Sequence, residues 1–228
     1  MTEAWEQRIS DPDTRRAEAF SDAVLAIVIT LLVLDLHPPP ERPGTLLTKL
    51  LHQWPTYVAY VASYLYVAVV WLNHKAAFCR VRVMDRGLHW ANLAVLFSTA
   101  LLPWPTAMVS TAIAEGAGSD ARVAVAVYAL VGVLTSLAWL ALFHHLGRHP
   151  ELAWEHVAEN FFSLERVRAL VGIVLYTAAG LVGALLHPLT ALAVFCFLPL
   201  FYGVTSHGLT ELSGPLRRFL PRGRGHGG

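Results

Sequence analysis

Charge is what this sequence has least of. Asp, Glu, Lys and Arg make up 14% of its 228 residues, against roughly 25% in soluble domains. With 55% hydrophobic residues and a mean hydropathy of +0.50, the chain is not composed for water. Cysteine is scarce as well. Cys79 and Cys196 stand alone, without CxxC or zinc-ligand spacing, which argues against a disulfide framework or a structural zinc and leaves both as small hydrophobes. Neither HExxH nor GxSxG occurs, and no cofactor motif is present, so membrane hydrolase chemistry has no foothold. His144 and His145 diverge by about 100° on a helix and form no two-ligand face. His144 and His149 with Glu151 are better read as an interfacial loop than as a metal site. A net charge of +1 gives no global basic field for nucleic acid. The opening MTEAWEQRISDPDT has no apolar core or cleavage site and does not read as a signal peptide.

Long apolar runs are what the chain has in abundance. A bilayer core takes about 20 apolar residues as a helix. Six stretches qualify, at about residues 17–36, 46–77, 88–113, 121–146, 167–186 and 189–208. Pro55 lies near the start of the second. Pro103 and Pro105 fall late in the third, where a kink is expected. The predicted fold is an all-α integral membrane protein. Residues 1–14 are an N-terminal segment, 15–209 the six-helix domain, and 210–228 a basic, Gly-rich tail. That tail lacks a stacking platform for nucleic acid and suits a solvated end beside anionic lipid.

The few basic residues set the orientation. With the N terminus inside, the inner segments hold Arg8, Arg15, Arg16, Lys75, Arg80, Arg82, Arg86, Arg148, Arg166, Arg168, Arg217, Arg218, Arg222 and Arg224. Only Arg42, Lys49 and Arg122 of the 17 then lie outside. Six spans with both termini cytoplasmic follow.

The first helix, FSDAVLAIVITLLVLDL from Phe20 to Leu36, begins with an acid at the mouth of a greasy run. A carboxylate at bilayer depth costs about 2.5 to 3.5 kcal/mol, less near the interface, so Asp22 needs a partner. At about 100° per residue, Asp22 points roughly 140° away from Ile27. Ile27, Leu31 and Leu34 share one face. The expectation is that Asp22 faces neighbouring helices and the Ile27 stripe faces something else. From periodicity alone, a lipid face or a bundle seam explains that stripe. Thr30 can bond back to the carbonyl of Ala26. Ser21 and Asp22 also resemble an N-cap pair. Partners for the acid lie at matching depth: Trp71 and His74 at the inner end of the second helix, and Asn92 on the third. A polar cluster of Arg16, Ser21, Asp22, His74 and Asn92 is predicted as glue between helices.

These residues carry a resemblance. Arg16-x-x-x-Phe20-Ser21-Asp22 followed by AVLAIVITLLVLDL is similar to the first-helix signature of the transmembrane protein 175 family, potassium channels without the usual selectivity-filter loop. Trp71-x-x-His74, Asn92 and Pro103-Trp104-Pro105-Thr106 extend it. The resemblance implies a homotetramer in a prokaryotic plasma membrane, with the first helix of each subunit lining a central pore. It implies a hydrophobic constriction at Ile27, pore positions at Thr30, Leu31 and Leu34, and a polar network of Arg16, Phe20, Ser21, Asp22, Trp71, His74 and Asn92. The expected function is potassium-preferring conduction, with potassium passing near Thr30 and no cofactor or nucleic acid. An apolar ring gates by dewetting. A proton-conducting channel or secondary transporter using Asp22 and His74 is the alternative, since histidine titrates near neutrality.

Overall fold

Helix α1 runs over Pro12–Leu31 and continues as a 3-10 turn through Leu32–Asp35 in the computed structural model of the chain, which describes residues 11–38, 44–116, 118–155, 157 and 161–205. Asp11 stands at its N-cap, Pro12 opens the first turn without losing a needed N–H, and Asp13 complements the positive helix end. The helix therefore starts nearly three turns before Asp22, and Ser21-Asp22 is not a cap. The expected 210–228 tail, residues 1–10 with Arg8, the position of Arg42 and the end of the sixth predicted span lie outside the described residues.

The remaining helices are α2 (Leu46–His52), α3 (Trp54–Phe78), α4 (Arg86–Ala100), α5 (Pro103–Ala114), α6 (Gly118–Arg148), α7 (Phe161–Leu185) and α8 (Pro188–Thr205). Among the described residues, five helical stretches are long and apolar enough to cross a membrane: Pro12–Asp35, Trp54–Phe78, Arg86–Ala114, Gly118–Arg148 and Phe161–Leu185. The sixth predicted span corresponds to α8, whose apolar stretch Pro188–Leu200 is shorter.

Two predicted spans are divided. The second breaks at Gln53, ahead of Pro55, into α2 and α3. The third breaks at Leu101–Leu102, because Pro103 and Pro105 have no N–H to continue the ladder. Leu102 N and Trp104 N close the break onto Thr99 O (3.1 Å) and Leu101 O (3.2 Å), while Thr106 Oγ1 donates to Leu102 O at 2.8 Å and meets Ser63 Oγ of α3 at 2.8 Å, so the break is satisfied inside the bundle.

Helix α6 is the centre of the subunit, with 56% of its apolar window buried, while α1 is the least covered at 28%. Small residues let α6 and α7 approach closely. A Cβ on Gly132 would come within 2.4 Å of the Tyr176 ring, and one on Gly180 within 2.5 Å of Ala129 Cβ. The 31 residues of α6 span about 46 Å, well beyond a 30 Å hydrocarbon core. Its last turns carry His145 and Arg148.

Those turns meet a small platform. The segment after α3 pairs with the segment after α6 through Arg82 N–Leu152 O (2.8 Å), Val83 N–Leu152 O (3.2 Å) and Trp154 N–Arg80 O (3.1 Å). The base of α1 docks on the same strip, where Asp11 N donates to Arg82 O at 3.2 Å. The segments that charge alone assigned to the inner side thus share one end of the bundle.

Candidate functional site

Helix α1 has two faces with different fates. Thr14, Ser21, Leu25, Val28 and Leu32 follow one line along it and are buried against α3 and α4. Ile27 (58% exposed), Leu31 (43%) and Leu34 (64%) lie on the opposite side, and Thr30 is exposed with them. Thr30 Oγ1 donates to the carbonyl of Ile27 at 2.8 Å, one residue later than the Ala26 carbonyl expected. Its proton is thereby committed, and the oxygen lone pairs remain to accept.

Asp22 sits roughly a quarter turn from the buried line, at about 100° per residue. It is exposed at the flank and meets the neighbouring α3, as expected, without entering the core. Ser21 takes the inward position. Trp71 Nε1 donates to Asp22 Oδ1 at 2.9 Å, and the Lys75 ammonium lies 5.7 Å from the Trp71 ring centroid. This corner joins α1 to α3 by a charge-assisted bond.

One position inward the polar groups form a separate buried chain. His74 Nε2 lies 2.9 Å from Asn92 Oδ1, Asn92 Nδ2 donates to Ser21 Oγ at 3.0 Å, and Ser21 Oγ donates to Ala17 O at 2.8 Å. The order of donors fixes the tautomer. Asn92 gives its N–H to Ser21, so Oδ1 must accept, and the proton resides on His74 Nε2. His74 Nδ1 is then a buried acceptor with no hydrogen-bond partner among the described residues. The ring stacks on Phe78 at 4.1 Å.

Trp71, His74, Asn92, Ser21 and Asp22 do converge, as expected. The pairing differs from a single cluster: Asp22 and His74 share no hydrogen bond and belong to neighbouring networks. Within one chain Arg16 joins neither. It points to the same exposed side as Ile27, and its guanidinium, 85% exposed, is 4.0 Å from Asp13. Phe20 is on that side too, 53% exposed. Five residues at about 100° each put Arg16 roughly 140° around the helix from Ser21, which is why a sequence motif grouped what the helix divides.

Sequence reasoning passed over the platform at this end of the bundle. Asp85 caps α4, accepting from Leu88 N at 2.7 Å, and both of its oxygens lie 2.9 Å from His145 Nε2. His149 Nδ1 is 3.0 Å from Glu151 Oε1. Burial opposes the charged form of Asp85, but the Leu88 N–H, the His145 contact and nearby His149 outweigh it and hold the carboxyl below its usual range. Glu151 is lowered by its own backbone N–H and by His149. The signal available was an Asp immediately ahead of an apolar helix.

The fold and the site define a multi-pass, all-α membrane protein with a polar seam around its first helix. The stretch 16–103 matches the family described as Endosomal/lysosomal potassium channel TMEM175. A potassium channel of Streptomyces collinus is 42% identical over 192 residues, which are 84% of this chain and 92% of that relative. A potassium channel of Chamaesiphon minutus is 36% identical over 163 residues, 70% of this chain and 75% of its own. The crystal structure of a lysosomal potassium-selective channel TMEM175 homolog from that organism superposes with a TM-score of 0.73 at 28% identity, covering 86% of this chain and 100% of the other. The chain belongs to the TMEM175 family.

Proposed function

We propose that this protein is a potassium channel subunit of a prokaryotic plasma membrane, acting as a homotetramer of six-span subunits with both termini in the cytoplasm. Four copies of α1 surround the conduction path. The observation that carries this reading is the division of α1. Its inner line is buried in the subunit, while Ile27, Thr30, Leu31 and Leu34 form an apolar stripe with one hydroxyl, uncovered in the single chain. One helix cannot enclose a pore, so the stripe acts only when copies meet.

Ile27 from each subunit makes a narrow apolar ring that empties of water when closed. Thr30 lies one turn outward. Because its hydroxyl proton is given to the Ile27 carbonyl, a ring of Thr30 oxygens faces the axis as acceptors. Acceptors are what a partly dehydrated cation requires. No Lys or Arg interrupts the helix from Phe20 to Leu36, which suits cation passage. Arg16 and Phe20 project on the pore-facing side at the inner end, where they meet neighbouring subunits. The His74–Asn92–Ser21 chain and the Trp71–Asp22 bond fix the rotation of α1, so that the stripe and not the flank faces the axis. The proton or transporter alternative draws less support, because Asp22 and His74 do not form a continuous hydrogen-bonded route.

Reconstituted protein in asymmetric potassium and sodium tests the proposal, with Ile27→Asn alongside. The expected result is a cation current reversing near the potassium potential, enlarged or made less selective by the substitution. Silence in both, with an intact tetramer verified by crosslinking, would refute it.

A further inference from the structure

At the inner end, two histidine–carboxylate contacts flank the strip on which α1 rests. Asp85 follows the 80–83 segment by two residues and is gripped by His145. Glu151 precedes Leu152, which pairs with that segment, and is held by His149. His145 lies in the last turn of α6 and His149 just past its end, with ring centroids 4.5 Å from each other. His145 lies flat on Gly87, where an added Cβ would come within 2.3 Å of the ring, so the ring is held in register. Between the contacts, Arg82 binds both ways. Its N–H reaches Leu152 O, its guanidinium reaches Glu151 O at 3.1 Å, and its carbonyl receives Asp11 N and Thr14 Oγ1 from the first turn of α1. A continuous chain of contacts therefore runs from two histidines to the base of α1.

We propose that His145 and His149 form a proton-binding regulatory site on the inner face, which clamps the base of α1 when protonated and releases it when neutral. This rests on the pore reading of α1 and on the cytoplasmic placement of this end.

Histidine changes charge nearest neutrality. As imidazolium, each donates a charge-assisted bond to its carboxylate. As imidazole it donates a weaker, neutral one. The C-terminal end of α6 favours the cation further. Asp85 and Glu151 stay ionised throughout this range, because both are held below the ordinary carboxylate range. The other charged groups around the pair are His89, whose Nδ1 contacts the Asp85 carbonyl at 2.8 Å, Arg82 and Arg86 beside Asp85, and His144, Arg148 and Arg166 near the end of α6. His89 and Arg82 bond backbone carbonyls, whereas His145 and His149 contact the Asp85 and Glu151 carboxylates directly, with the Leu88 N–H a further donor to Asp85. Clamping holds the four α1 bases in place and keeps the Ile27 ring narrow. Release lets α1 move outward, so current rises with inner pH.

Inside-out patches with potassium on both sides test this, stepping the inner solution from pH 6 to pH 8. Wild-type current is expected to rise about two- to fivefold, the range set by two partly exposed pairs. The double variant His145→Gln/His149→Gln keeps donors without titration. It is expected to conduct with a flat profile. A flat wild-type profile, a fall with rising pH, or an unchanged profile in the double variant overturns the proposal. Hydrogen exchange at the Arg82 and Val83 amides gives a second readout, compared between the two proteins at each pH. Protection that is greater in wild type at pH 6 and converges at pH 8 supports the clamp, and equal protection at both overturns it. No wild-type current at any pH, with protection still responding, would place the failure in the pore reading and leave the clamp standing.

Discussion

Replacing Asn92 by Ala should detach α1 from the rest of the subunit. Asn92 is 3% exposed and bridges three helices, accepting from His74 of α3 and donating to Ser21 of α1. Interhelical hydrogen bonds in membranes average about 0.6 kcal/mol and reach about 1.7. Two lost bonds give about 1 to 3 kcal/mol. The upper end is expected, because His74 Nδ1 already has no partner and the ring would lose Nε2 as well, leaving a fully buried imidazole unsatisfied. Reversible unfolding in mixed micelles measures this, with Ser21→Ala and the double variant completing a cycle. Ser21→Ala also removes two bonds, to Asn92 and to the Ala17 carbonyl, but should cost less because the His74–Asn92 bond survives and no imidazole is left without a partner. The coupling between the two should be about 0.6 kcal/mol. Asn92→Leu, which fills the space without the bonds, should be destabilised as well. If the two single changes add with no coupling beyond about 0.3 kcal/mol, or if Asn92→Leu is neutral, the buried chain does not hold α1 and the reasoning fails.

Other outcomes follow from the same geometry. Gly132→Ala should lower the thermal midpoint of the purified protein, by about 1 to 3 kcal/mol of stability, because Tyr176 is 2% exposed and its ring cannot yield. Trp71→Phe removes the donor to Asp22 but leaves an exposed carboxylate that water can serve, so stability should change by less than about 1 kcal/mol. Its effect should appear in single-channel recordings as altered open probability, since the rotation of α1 loses a constraint. Asp85→Asn keeps an N-cap acceptor but loses the charge. Because the Asp85 carboxyl is held below its usual range, its contribution is present above about pH 4 and lost as pH falls through the folded value. Thermal midpoints measured from pH 7 to pH 3 should fall steeply for wild type and more gently for this variant.

Much of the architecture was readable before any coordinates. Apolar run length fixes how many helices can span, and prolines mark where they break. Pro103 did so, although the break at Gln53 ahead of Pro55 divided a run that reads as continuous. Charge counting placed residues 11–14, 80–83 and 151–154 at one end, where backbone bonds now join them. Periodicity separated the Ile27 stripe from the rest of α1, and depth matching brought Trp71, His74 and Asn92 to Ser21 and Asp22.

The partners themselves were decided by tertiary structure. One residue along a helix is a turn of about 100°, so Ser21 enters the core beside Asn92 while Asp22 meets Trp71 at the flank. Arg16 shares a motif with both and joins neither. The contact of Asp85 with His145 unites groups 60 residues apart, on helix ends that meet only because α4 packs along α6. Hydropathy and periodicity are sums over neighbours in the chain and survive without knowledge of packing. Hydrogen-bond pairing depends on the relative rotation and rise of whole helices, and that is settled only when their faces are pressed together.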